Sequence, residues 1–73
     1  MRQKTRKVLR LRKLRRDREM TQDELGRRVG LEKSTIAMIE SGARQPSLDK
    51  AIALAAVFGE PVEHVFEFVE VPA

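Results

Sequence analysis

The stretch Gln22 to Ile39, QDELGRRVGLEKSTIAMI, constrains the fold more than any other part of this chain. Thr21, just ahead of it, suits an N-cap, because its hydroxyl can accept from a first-turn amide that has no intrahelical partner. Glu24, three residues on, can reach back to the Thr21 amide and complete a capping box. Met20 and Leu25 stand at the two positions of a hydrophobic staple around that cap. The spacing therefore predicts a helix from Gln22, about two turns long, with Leu25 and Val29 on one face and Arg27 and Arg28 on the other.

Gly30 follows directly, where positive φ carries no steric cost, and stops that helix. Glu32 stands where the next helix needs a cap; its identity is weak for the role, but its charge suits the N-terminal dipole. Ile36 and Ile39 point one way, while Lys33, Ser34, Ala37 and Met38 point elsewhere. Gly42 ends this second helix as a left-handed cap. Two helices joined by three or four residues containing glycine make a helix-turn-helix. Gly26 fits that arrangement, since a position facing the partner helix across a tight crossing has no room for a large side chain.

On either side of the motif the pattern is helical. A first helix is expected from about Leu9, with Leu11 and Leu14 turned inward and Arg15 sharing their face, an unusual place for an arginine. Pro46 holds Gln45 extended. Ser47 can cap a fourth helix, Leu48 to Phe58, whose Leu48, Ala51, Ile52, Leu54, Ala55 and Phe58 follow the helical period. Gly59 closes it, and Pro61 suits the first turn of a short fifth helix through Val65 and Phe66. The expected class is all-α: a compact five-helix bundle in which helices 2 and 3 form the helix-turn-helix, with a short terminal β-strand pair as an addition.

Both ends remain open. Residues 1–8 read as a basic N-terminal arm or a short strand, residues 9–66 as the helix-turn-helix domain, and residues 67–73 as a tail or strand available for a dimer contact. Pairing the tail with Lys4–Leu9 would set Glu67 and Glu70 against Lys and Arg, a favourable cross-strand combination.

Charge is divided along the chain. Residues 1–18 carry ten Lys and Arg against Asp17 alone, whereas residues 45–73 carry Lys50 against Asp49, Glu60, Glu63, Glu67 and Glu70. One end suits a polyanion and the other turns away from it. With no cysteine there is neither a disulfide nor a thiolate metal site, as in a reducing cytosol. No apolar run approaches a membrane span, so the expectation is a soluble, cytoplasmic protein. His64 is the only histidine, which leaves no histidine-based metal site and no Ser–His arrangement. The carboxylates suggest a solvated face, and the glycines sit singly at helix junctions. An enzyme is not expected, nor any cofactor or metal.

The segments TQDELGRRVG, STIAMIESG and RQPSL, in that order and at that spacing, resemble the Xre/Cro-like helix-turn-helix family of bacterial and phage transcription regulators. The resemblance covers roughly residues 11 to 66. It implies sequence-specific binding to double-stranded DNA as a homodimer on a palindromic operator, with the second helix of the motif in the major groove and repression as the regulatory outcome. By spacing and family match, Lys33, Ser34 and Met38 face the bases, with Thr35 and Ala37 flanking. Many relatives have a polar or charged side chain where Met38 stands, which leaves more of the readout to DNA shape. Family positions put Thr21, Gln22, Ser41 and Arg44 on the DNA backbone, and Arg2, Lys4, Arg6 and Lys7 can add an arm. The resemblance also implies a structural pair between Arg15 and Glu40. Some small members carry a terminal strand at the dimer contact. Two other readings share the fold: a DNA-binding antitoxin or accessory protein acting with a protein partner, and a protein-interaction module that binds no DNA.

Overall fold

The elements follow one another as β1 (Thr5–Leu9), α1 (Arg10–Asp17), α2 (Gln22–Val29), α3 (Lys33–Ser41), α4 (Leu48–Phe58), α5 (Val62–Val65) and β2 (Phe68–Pro72). This computed structural model describes residues 4–72, so Arg2 lies outside the described residues. Among those described, no helix is long and apolar enough to cross a membrane.

Local signals set most boundaries. At the start of α2 the Thr21 hydroxyl accepts from the Glu24 amide at 3.0 Å, and the Glu24 carboxylate accepts from the Thr21 amide at 3.2 Å. The capping box is thus complete. The Ser47 hydroxyl caps α4 by accepting from the Lys50 amide. Glu32 occupies the cap position of α3, but its side chain makes no cap bond.

Leu9 belongs to β1 and caps α1 with extended backbone; the sequence pattern had it opening the helix, but it pairs with Phe68 across the sheet. Pro61 likewise precedes α5 as its cap, and Phe66 follows it.

Helices α1 to α4 end alike. The residue after the cap or at it is left-handed in each: Glu19 after α1, then Gly30, Gly42 and Gly59. After α1 the Met20 amide donates to the Arg15 carbonyl and the Glu19 amide to the Arg16 carbonyl, the two bonds of a Schellman closure. Glycine fills three of these sites and glutamate the fourth.

The core is drawn from all five helices: Leu11, Leu25, Ile36, Ile39, Leu54 and Val65 have fully buried side chains. Each stabilises the fold by about 1.5–3 kcal/mol relative to exposure. On α4 the inward stripe is Ala51, Leu54, Ala55 and Phe58. Leu48 and Ile52, which the helical period grouped with that stripe, are 73% and 50% exposed. Their place at the edge of the apolar arc leaves them outside, because only one face of α4 meets α2 and the rest of the bundle.

Gly26 carries the crossing of α2 and α3. A Cβ there would overlap the Leu31 carbonyl oxygen and approach Ile36 Cγ1 at 3.4 Å. The obstruction is the backbone of the turn more than the facing helix.

The terminal segments form an antiparallel two-stranded sheet in the register Thr5↔Pro72 to Leu9↔Phe68. Lys7 stands opposite Glu70, the expected charge pairing, while Glu67 lies just outside the register. Instead, Glu67 pairs with Arg10, whose guanidinium also donates to the His64 carbonyl and to His64 Nδ1 at 3.0 Å. The Arg10 amide donates to the Glu67 carbonyl at 2.8 Å. Arg10 thereby ties the start of α1 to the segment between α5 and β2.

Candidate nucleic-acid interface

At 3.6 residues per turn, Ile36, Ile39 and Glu40 form the buried side of α3. Ser34, Ala37, Met38 and Ser41 then fall at i, i+3, i+4 and i+7, one stripe on the opposite side. Ser34, Met38 and Ser41 are exposed and Ala37 is half-buried. Lys33 and Thr35 flank this stripe, Lys33 exposed and Thr35 half-buried, the latter turned toward the loop that contains Pro46. The stripe combines hydroxyl donors and acceptors with the apolar surface of Ala37 and Met38, and Lys33 adds a mobile cation.

The other residues singled out from the sequence are partly committed to the fold. The Thr21 hydroxyl accepts within the capping box. Gln22, half-buried at the start of α2, donates from Nε2 to Glu40 Oε1 at 3.1 Å. Ser41 donates to the Met38 carbonyl at 3.0 Å and accepts from the Ala43 amide, closing the end of α3. Arg44 is exposed, and among the described residues only its backbone amide is held, by the Met38 carbonyl. Lys4 is exposed ahead of β1, and Arg6 and Lys7 are exposed side chains on β1 itself. Two of the four arm residues therefore sit on a paired strand.

Behind the stripe, Arg15 and Glu40 make a two-bond contact. Arg15 Nε donates to Glu40 Oε2 at 2.7 Å and Nη2 to Oε1 at 3.1 Å. Arg15 Nη1 also donates to the Met20 carbonyl at 2.7 Å. The residues are 8% and 2% exposed. The pair joins α1 to the end of α3, and Gln22 joins α2 to the same carboxylate, so three helices meet at Glu40.

Three basic residues that charge patterning treats as surface act as fasteners. Lys50 donates to the Val29 carbonyl at 2.5 Å, filling the end of α2 from α4. Arg18 donates to the Val57 and Phe58 carbonyls, and its guanidinium lies over the Phe58 ring, 4.9 Å from the centroid. Arg10 performs the corresponding task at α5. Only the placement of helix carbonyl ends identifies them, and that placement is tertiary. Among the described residues no group of three or more His, Cys, Asp or Glu side chains could hold a metal ion.

A helix-turn-helix family profile matches residues 11–65. An HTH-type transcriptional regulator of Archaeoglobus fulgidus is 45% identical over 51 residues, covering 70% of this chain and 72% of that relative. A second from the same organism is 41% identical over 59 residues, covering 81% and 84%. Among solved structures, Bacillus thuringiensis PlcR, crystallised in complex with the peptide PapR7 and DNA, has a TM-score of 0.68 and 34% identity over 75% of this chain. This chain spans only 19% of that protein. With the motif, its buried Arg15–Glu40 brace and these relatives in agreement, the chain belongs to the Xre-type helix-turn-helix family of transcriptional regulators.

Proposed function

We propose that this protein is a sequence-specific regulator of transcription that binds double-stranded DNA as a homodimer on a palindromic operator and represses from it. The observation that carries the reading is the exposed stripe of α3, backed by a buried brace that fixes the helix in position. The stripe enters the major groove, its first residues nearest the base edges. Lys33 donates to guanine O6 and N7, and Ser34 adapts to either partner. Met38 and Ala37 touch thymine methyl groups and Thr35 flanks them.

Thr21, Gln22, Ser41 and Arg44 meet the DNA backbone. Thr21 and Ser41 contribute by turning their hydroxyl hydrogens to phosphate oxygens, Ser41 giving up its bond to the Met38 carbonyl to do so, and Arg44 contributes through its exposed side chain. That PlcR, a structural neighbour, was crystallised with DNA supports the DNA-binding reading as a whole.

Dimerisation follows from size. A single module of this kind buries too little surface for specific binding at cellular salt, and a two-fold pair on a palindrome doubles it. Leu48, Ile52 and Phe68, the last 55% exposed, supply apolar surface for a second copy. The same surface suits a different protein, which keeps the antitoxin-like reading as the alternative.

Selection of bound sites from random duplexes tests the proposal, run on the parent and on Lys33→Ala and Ser34→Ala. Each substitution should cost about 1–3 kcal/mol at particular base pairs and relax the preference there. The parent's consensus should be palindromic. An unchanged site pattern in both variants would mean that α3 is misplaced or that DNA shape dominates the readout, and a parent that retains no duplex would end the DNA reading.

A further inference from the structure

A cluster of arginines lies beside the proposed recognition surface. Arg6 lies on β1, while Arg12 and Arg16 are one turn apart on α1. The three are close enough for their charges to act on one another. Partial burial holds Arg12 below the usual guanidinium range, the positive charges of Arg6, Arg16 and Arg15 add to this, and Glu40 opposes it.

Among the described residues none of the three forms an ion pair, whereas Arg10, Lys13, Arg15 and Arg27 each hold a carboxylate. The nearby Glu40 carboxylate is already occupied by Arg15 and Gln22. Like charges that outnumber the one carboxylate among them, itself already paired, oppose folding, so their grouping points to an anion from outside the chain.

Their position names the anion. A shallow cleft of about 170 Å³ has Arg6, Lys7 and Arg12 on one side and Gln22, Ala37, Ser41 and the already paired Glu40 on the other. Arg6 and Arg12 are therefore continuous with the start of α2 and the outer stripe of α3, and Arg16 extends the patch one turn further along α1, into a neighbouring cleft that Arg12 also lines. We infer that Arg6, Arg12 and Arg16 form a second phosphate-binding surface that grips the DNA backbone next to the segment facing α3. This rests on the DNA-binding reading above and adds residues to it.

The guanidinium fork suits phosphate oxygens. Arg6 is held on a strand, opposite Val71, and the other two on a helix, so less backbone freedom is lost on binding than a loose arm would lose.

The test uses the full chain and the triple variant Arg6→Gln, Arg12→Gln, Arg16→Gln. Affinity is measured against salt on a selected duplex and on a random one. Each lost phosphate contact should flatten the log–log slope by about 0.9 and weaken binding at 0.1 M salt about eightfold, equally on both duplexes. Lys13→Gln removes one positive charge, as each of the three substitutions does singly, at a residue paired with Asp17, and should leave the slope unchanged. Thermal unfolding of the triple variant should match or exceed the parent, since repulsion is relieved. Should the triple variant melt lower, Arg12→Gln alone carries the slope test. A parent that binds DNA while the variants keep its slope would overturn the inference and leave the helix-turn-helix reading intact. A parent that binds no duplex at low salt would overturn both.

Discussion

Replacing Glu40 by alanine should damage this protein more than removing any residue of the outer stripe of α3. The carboxylate accepts from Arg15 Nε, Arg15 Nη2 and Gln22 Nε2, and only 2% of the residue is exposed. Without it, the Arg15 guanidinium retains a single partner, the Met20 carbonyl. Truncating one member of a buried pair costs about 3–5 kcal/mol, because the remaining charge is desolvated and uncompensated. A 73-residue domain holds only about 4–11 kcal/mol in total. At roughly 4–8 °C per kcal/mol for a domain of this size, Tm should fall by at least about 12 °C. Thermal unfolding without DNA measures this, with Lys33→Ala as an exposed comparison that should melt near the parent. The pair Arg15→Met, Glu40→Leu should recover much of the loss, since an apolar replacement removes both charges at once. A double-mutant cycle should therefore return coupling of about 3 kcal/mol or more. Coupling in the range of exposed pairs, about 1 kcal/mol or less, would refute the argument from burial.

Glu19→Gly should stabilise the fold by about 0.5–1 kcal/mol, because the left-handed backbone at φ 54° disfavours any residue with a Cβ by more than glycine's extra chain entropy; a Tm at or below the parent's would contradict it. Gly26→Ala should destabilise by about 1–3 kcal/mol in chemical denaturation despite alanine's better helix propensity, through overlap with the Leu31 carbonyl. An equal or higher midpoint would mean that the turn yields. Hydrogen bonds from the Thr21 amide and hydroxyl, with Arg27 and Arg28 nearby, hold the Glu24 carboxyl below the ordinary carboxylate range. Its folded value lies below its unfolded one, so its contribution is complete above the unfolded value and is lost as pH falls through the folded one. Acid melting curves of Glu24→Gln should accordingly fall less over that interval than the parent's, and parallel curves would refute the linkage.

Signals that act within a few residues were legible in the sequence. Thr21 and Glu24 announce the start of α2, and Gly30, Gly42 and Gly59 announce three helix ends, because capping is local chemistry. The glutamate at the fourth end escaped, since nothing in Glu19 itself marks a left-handed residue. Arg10, Arg18 and Lys50 looked like general basic surface; their bonds run to carbonyls more than twenty residues away, which no local pattern reveals. Leu48 and Ile52 have the right period for a core, but periodicity gives a face without saying how wide the neighbouring helices are. At the proposed recognition surface, helical spacing separates the outer residues of α3 from buried Ile36 and Ile39, and the family match singles out Lys33, Ser34 and Met38 among them. The grouping of Arg6 with Arg12 and Arg16 needed the strand register, because a free arm and a paired strand have the same sequence.

The strand pair also bears on how long the folded state lasts. Leu9 and Phe68 meet across almost the whole chain, and closing so long a loop is entropically late work. The helix-turn-helix, joined by a short turn, can assemble before it. Contacts made after the rate-limiting step govern escape from the native basin and leave entry into it nearly untouched. Val8 and Val69, paired one step from the Leu9–Phe68 end of the ribbon, thus belong to the unfolding limb of a chevron. Shortening either side chain should hasten opening while refolding keeps its pace. The ribbon behaves as a clasp: its bonds lengthen the lifetime of a bundle that forms without waiting for them.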